Sequence, residues 1–280
     1  MSVAFAVFTS DPNLLSCELE RLAEQVALVN GDRQNAVGVG HYGSDEVLLQ
    51  RYRFDGQPRE VWKLIPQPES EALVYHAGPL RPGGSLEESA QPHRFRHWLF
   101  CHVGSINEWP RVRSLLHAEL PEHLQRQVQG DNQGEAAFAL FLKQLRETGR
   151  TDDRMLDAIT AARLLGQSVT RMQALASQAG AARTSRLDFI ATNQLMLLAA
   201  RSGDAPLHYR LLEGIGRCGR HGITESSSEI DPKVLAHRRV RTVAVATDLA
   251  RPAGWLEIQK GTVLAADRNL GIHFVPLERA

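Results

Sequence analysis

Trp98-Leu99-Phe100-Cys101-His102-Val103-Gly104-Ser105-Ile106 is the stretch whose reading decides the fold. From His97 to Val103 it carries no Asp, Glu, Lys or Arg, and most side chains are aromatic or aliphatic. This predicts a strand buried on both faces and ending at Gly104. Working back, Ala72 to Ala77 is another short apolar strand, which runs into the loop Gly78-Pro79-Leu80-Arg81-Pro82-Gly83-Gly84. Asn35 to Tyr42 and Glu46 to Phe54 read as a hairpin about Gly43-Ser44-Asp45. The first eight residues predict a strand starting at the second or third position, turned by Thr9-Ser10-Asp11-Pro12. Leu14, Leu15, Leu19, Leu22 and Val26 then mark an amphipathic helix.

Working forward, the chain is helical from Asn107 to about Ala182, and this segment separates two strand-rich parts. A turn-rich break at Gln129 to Gly134 precedes a helix from Glu135 to Thr148, and a second helix is predicted from Asp152 to about Gln178. Beyond it, residues 188–192, 194–200, 207–210, 240–246, 255–258, 262–266 and 272–275 read as strands. Strands, then helices, then strands predict an α+β protein in which helices cover two sheets. Residues 1–280 are taken as one domain. GxGxxG and GxxxxGK[ST] phosphate loops are absent.

Lys plus Arg and Asp plus Glu both number 32 in 280 residues, so no net field draws in nucleic acid or an anionic membrane. The basic run His237-Arg238-Arg239-Val240-Arg241 leads into an apolar stretch and reads as a solvated strand entrance. No segment approaches the apolar length of a membrane span, and the N-terminal apolar run is too short for a signal peptide. Three cysteines, Cys17, Cys101 and Cys218, are odd in number and widely spaced, which fits a reducing cytoplasm.

Four ordered islands resemble the class II glutamine amidotransferase domain, in particular its compact bacterial branch. Asn35-Ala36-Val37-Gly38-Val39-Gly40-His41-Tyr42 is similar to that family's D-G-W-G-[IV]-x-x-Y. His76-Ala77-Gly78-Pro79-Leu80 lies beside its H-[IV]-R-x-A, followed by Ser89-Ala90-Gln91-Pro92 for N-x-[HQ]-P. Trp98 to Ile106 is close to W-x-F-x-H-N-G-x-[IL]. Gly130-Asp131-Asn132-Gln133-Gly134-Glu135-Ala136-Ala137-Phe138 resembles G-x-T-D-S-E-x-[AL]-F. Val243 to Asp248 and Trp255 to Leu264 extend the likeness towards the C-terminus. The resemblance implies a four-layer αββα sandwich of the N-terminal-nucleophile hydrolase type.

In that family a cysteine freed by Met removal attacks a glutamine amide, with its own α-amine as base. A backbone N–H and the Asn of H-N-G form the oxyanion hole. An Arg grips the substrate carboxylate, and an Asp accepts from its α-ammonium. Set against those positions, this chain has Ser2 for the cysteine, Gly78 for the arginine, Val103 for the asparagine and Gln133 for the aspartate. Gly104 is kept, as are Glu135, His76 and His102, which read as scaffold. One lost oxyanion donor costs about 2.7–4 kcal/mol, and each lost charged hydrogen bond about 1.5–3 kcal/mol. The departures imply a catalytically inactive relative, a pseudoenzyme that binds a partner protein, or an apolar ligand in the former glutamine cleft lined by Gly78, Pro79, Leu80 and Val103. The alternative is an amidohydrolase that uses Ser2 on a non-glutamine amide.

Neither a cofactor nor a metal is expected. Cys218 and His221 sit three apart, but no second pair stands at ligand spacing in the sequence. Ser226-Ser227-Ser228 reads as a polar loop, and Cys101 as an inert buried thiol. Met155, Ile159, Ala162, Leu165, Val169 and Met172 form a stripe read as helix core. The oligomeric state is left open.

Overall fold

The computed structural model describes residues 2–29, 34–44, 46–80, 83–128 and 131–278. Asp45 of the hairpin turn, Arg81 and Pro82 of the proline-rich loop, and Gln129 and Gly130 of the helical break lie outside the described residues. In chain order the elements are β1 (Val3–Thr9), a 3-10 turn at Pro12–Leu14, α1 (Leu15–Leu22), β2 (Ala36–Tyr42), β3 (Val47–Arg53), a second 3-10 turn at Pro58–Leu64, β4 (Ala72–Gly78), α2 (Leu86–Ser89), β5 (His93–Phe95) and β6 (Trp98–Ser105). There follow α3 (Trp109–Glu119), α4 (Glu122–Gln125), α5 (Gln133–Glu147) and α6 (Ala158–Gln178). The chain closes with β7 (Arg186–Thr192), β8 (Leu197–Arg201), β9 (His208–Glu213), α7 (Pro232–Arg239), β10 (Arg241–Ala246), β11 (Leu256–Glu257), β12 (Thr262–Ala266) and β13 (Ile272–Pro276).

Two antiparallel sheets result, in the orders β11-β9-β10-β1-β4-β2-β3 and β13-β12-β8-β7-β6-β5. They pack face to face. Because side chains alternate along a strand, Ala4, Ala6 and Phe8 of β1 enter the space between the sheets with Leu99, Cys101 and Val103 of β6. Phe5 and Val7 face the other way, onto Leu15, Leu19 and Leu22 of α1. Both faces of β1 are therefore covered, which is why it reads as one apolar run. On the far side, α3, α5 and α6 cover the second sheet: Phe100 stacks on Phe138 at 5.0 Å and Trp98 meets Phe141 edge-on at 5.1 Å. The layers run helix, sheet, sheet, helix, as the resemblance implies.

Several boundaries differ from the sequence reading. α1 stops at Leu22, and Val26 instead bridges to Leu249. α6 begins at Ala158 because the Asp157 side chain accepts from Thr160 N at 2.8 Å and caps it there. Met155 thus precedes the helix and is exposed, whereas Ala162, Leu165, Val169 and Met172 are buried as expected. The basic run from His237 is not a solvated strand entrance. His237 to Arg239 are the last turn of α7, and His237 is buried. Among the described residues, no helix is long and apolar enough to cross a membrane.

One end of the sandwich is tied by Tyr42. Its buried hydroxyl, on β2, lies 2.9 Å from the carbonyl oxygens of both His97 and Thr192, beside the second sheet. Tyr42→Phe is expected to cost about 1–3 kcal/mol, because it removes the donor from carbonyls in a dry interface. Urea unfolding with an unchanged m-value is the measurement that checks it.

Candidate functional site

The positions singled out from the sequence converge at the opposite end of the same inter-sheet space. β1 and β4 are antiparallel with Val3 opposite Ala77, so the next residues outward, Ser2 and Gly78, are neighbours across that ladder. Strand alternation places Ser2, His76 and Gly78 on the inner face of the first sheet. Val103 comes from the inner face of β6, facing them.

Gly104 continues β6 rather than ending it, pairing with Leu187 at φ +134°. A Cβ there would overlap the Arg186 carbonyl oxygen, so only glycine fits. The turn beyond it is tied to the start of α5. Asn132 caps that helix by accepting from Gly134 N at 2.9 Å and Glu135 N at 3.3 Å. Gln133, the first helical residue, accepts through Oε1 from Ile106 N at 3.0 Å. That oxygen is therefore engaged by the chain's own backbone.

Gln91 joins the pieces. Its Oε1 accepts from His102 N at 2.7 Å and its Nε2 donates to the His102 carbonyl at 3.2 Å, while Nε2 also lies 3.4 Å from His76 Nε2. The Gln91 carbonyl sits so close to β2 that a Cβ at Gly38 would overlap it, and Gly40 likewise leaves room for Leu99 and Pro92. The glycines of the first island thus admit the 90–92 segment between the sheets. In the sequence Gln91 stands within the Ser89-Ala90-Gln91-Pro92 island. Its place before Pro92 is the available signal.

His76 leans along β4 over Gly78: a Cβ at residue 78 would come within 2.8 Å of His76 Cε1. The first carbon of any side chain at 78 would thus crowd the His76 imidazole, which would have to shift. Burial pushes that imidazole down to about 3, with the neighbouring His102 adding to the effect. Burial holds His102 at about 4, partly offset by its hydrogen bond to the Arg186 carbonyl at 3.2 Å. Both rings are neutral near neutrality, so neither offers a cation to a carboxylate.

Of the residues expected to line an apolar cleft, Val103 is instead part of the inter-sheet core, Gly78 is buried, Pro79 is exposed and Leu80 is anchored by its N–H to Asn35 Oδ1 at 2.7 Å. A groove of about 710 Å³ does open on the flank of α5, but Arg51, Glu87, Arg94 and Glu135 line it along with Leu48 and His93. It is charged, not apolar.

A second constellation lies elsewhere, where the sequence reading expected no metal site. The fold brings Cys17 of α1 and His237 of α7 to Cys218 and His221, supplying the second pair that is invisible in sequence. Cys101, by contrast, is a buried free thiol as expected, pushed up by burial to about 12.

The fold is similar to that of solved class II glutamine amidotransferase domain proteins. Among solved structures, a glutamine aminotransferase class-II domain protein from Silicibacter pomeroyi is 17% identical with a TM-score of 0.58, covering 98% of this chain and 99% of its own. A predicted glutamine amidotransferase from Pseudomonas aeruginosa is 13% identical with a TM-score of 0.56, covering 97% and 98%. The glutamine phosphoribosylpyrophosphate amidotransferase of B. subtilis is 12% identical with a TM-score of 0.55, covering 99% of this chain and 50% of its own. At such identities the likeness is one of fold. No family model matches the sequence, and no curated protein does.

The two histidines give the site a pH signature. Each is neutral when folded and free to protonate near 6.5 when unfolded. Their contribution is whole above about pH 6.5 and is lost as pH falls towards their folded values, about 2 kcal/mol each by pH 5. Glu18 and Asp188, raised chiefly by burial, act in the opposite sense. The histidine contribution is therefore read as a difference: between about pH 7 and pH 5, the melting temperature of His76→Gln should fall less steeply than that of the unmodified protein. Parallel slopes would contradict it.

Proposed function

We propose that this chain is a class II amidotransferase-like binding protein that does not hydrolyse glutamine. What supports this reading is that the two positions the resemblance sets against the substrate's charge-binding groups are engaged by the protein's own residues. His76 covers Gly78, and the Gln133 oxygen is engaged by Ile106 N–H. With Val103 in the core, no side-chain donor stands at the counterpart of the oxyanion asparagine. Burying an amino acid's carboxylate and ammonium here without partners would cost far more than packing could return.

A protein partner fits this scaffold better than a small zwitterion. Along the outer edge, Tyr209 pairs with Leu256 and its ring meets Phe274 at 5.6 Å, while Leu211, Leu256 and Phe274 stay exposed. Such an apolar seam suits a protein surface. Three free, buried thiols fit a reducing compartment such as the cytoplasm.

The protein is expected to release no ammonia from glutamine above buffer, and intact mass should show no adduct at Ser2 after exposure to a glutamine-like diazoketone. Across an amide panel, unmodified protein and Ser2→Ala should be equally inert. Because a ligand of the native state raises the melting temperature, millimolar glutamine or glutamate should produce no saturable shift. Stoichiometric labelling at Ser2 would overturn the reading.

A further inference from the structure

The segment from 214 to 231 runs between β9 and α7 with no helix or strand of its own, longer than loops usually remain without an anchor. Its inner part makes one tight turn: Cys218 N donates to the Ile223 carbonyl and Ile223 N to the Cys218 carbonyl, both at 2.9 Å. Gly222 takes φ +65° inside that turn, which favours glycine. Cys218 and His221 project from it towards Cys17 on α1 and His237 on α7. Arg220 clasps Glu20 of α1 at 2.6 Å, and Arg21 donates to the Gly214 carbonyl at 2.9 Å, so the turn is held down on α1 from both sides.

The four donor atoms define a small tetrahedron. Cys17 Sγ lies 3.4 Å from Cys218 Sγ, 3.3 Å from His221 Nδ1 and 3.8 Å from His237 Nε2. Cys218 Sγ is 3.4 Å from His221 Nδ1, and the two ring nitrogens are 3.2 Å apart. The remaining edge, Cys218 to His237, is within 4.8 Å. Metal–ligand lengths of about 2.3 Å for sulfur and about 2.0–2.1 Å for nitrogen give tetrahedral edges of about 3.8, 3.6 and 3.4 Å for S–S, S–N and N–N pairs. The five edges with stated lengths sit within a few tenths of an ångström of these values.

The surroundings favour the same assignment. His237 donates Nδ1–H to the Lys233 carbonyl at 2.7 Å, which fixes the tautomer and turns the Nε2 lone pair into the cluster. Cys17, Cys218 and His237 are buried, and His221 is exposed, leaving one ligand at the surface as a way in. Leu14, Ile215, Ile223, Val234 and Val240 form a small apolar shell around the pair of cysteines. Two soft and two imidazole donors in tetrahedral array select zinc among the common divalent ions.

We infer that Cys17, Cys218, His221 and His237 bind one zinc ion, a structural staple joining α1, the 214–231 segment and α7. On binding, both thiols release their protons to solvent and both imidazoles bind through neutral nitrogens. Two thiolates then balance the dication, so the buried site carries no net charge. All four positions are filled by protein, so the site is closed to substrate and acts on stability. It lies beside the Thr9 end of β1, away from Ser2 at the other end.

The test is elemental analysis and native mass spectrometry of the full chain, purified without chelators or metal-affinity steps. Close to one zinc per chain is expected, and a strong chelator should lower the melting temperature, with recovery on adding zinc. Cobalt added to the stripped protein should give the visible bands and sulfur charge-transfer absorption of a tetrahedral S₂N₂ site. His221→Asn changes an exposed side chain and keeps the buried shell. It should fold, retain little zinc after chelator dialysis, and lose most of the chelator-dependent melting shift. Protein that holds no zinc and binds neither zinc nor cobalt would overturn the inference, and so would a Cys17–Cys218 disulfide, read as a mass loss of two hydrogens in metal-free protein.

Discussion

Two sheets packed face to face need something that fixes their separation and register at both ends. In this chain that constraint is polar. A buried amide, Gln91, spans from His102 on β6 towards His76 on β4, while Tyr42 ties the far end to the carbonyls of His97 and Thr192. Apolar packing between them supplies most of the energy but little direction. The Gln91 link depends in turn on Gly38, since a larger residue would push the 90–92 segment out of the interface. The same amide that orders the interface also draws His76 and the His102 backbone together at the end of the sandwich that holds Ser2 and Gly78. One side chain thus orders the interface and fixes the surroundings of His76 together.

The N-terminus of α5 shows the same economy. A polar side chain at its first residue can face outward to a ligand or inward to the chain. Gln133 faces the turn after Gly104 and accepts from Ile106 N, so helix and turn are held by a bond that needs no ligand. As a neutral amide it stays engaged without the desolvation cost that a carboxylate would carry.

Much of this was legible in the sequence, for reasons that can be named. Strands such as 72–78 and the 98–103 part of β6 are covered on both faces, so they read as unbroken apolar runs, and the glycines at 38 and 104 mark close approaches of backbone that only glycine permits. The four positions that depart from the resembled pattern could be lined up because the islands are ordered. Helix ends were less readable. Asp152 and Asp157 can both cap a helix, and it is Asp157 whose side chain accepts from Thr160 N and fixes the start at Ala158. α7 escaped because Pro232 to Arg239 has no broad apolar face: Val234 and a histidine are what it buries. The Cys/His cluster was hidden by distance along the chain, for Cys17 and His237 lie in segments that meet only when β1 and β10 pair.

On the proposed reading, the end of the sandwich that holds Ser2, Gly78 and Gln133 is filled from within. The most direct measurement places a cation there: Gly78→Arg, studied by chemical unfolding and by calorimetric titration with glutamate. With His76 Cε1 within 2.8 Å of the new Cβ, the account predicts a loss of about 1–3 kcal/mol from overpacking and no saturable heat of glutamate binding. Unchanged stability together with saturable binding would show that the space is open, and would contradict it.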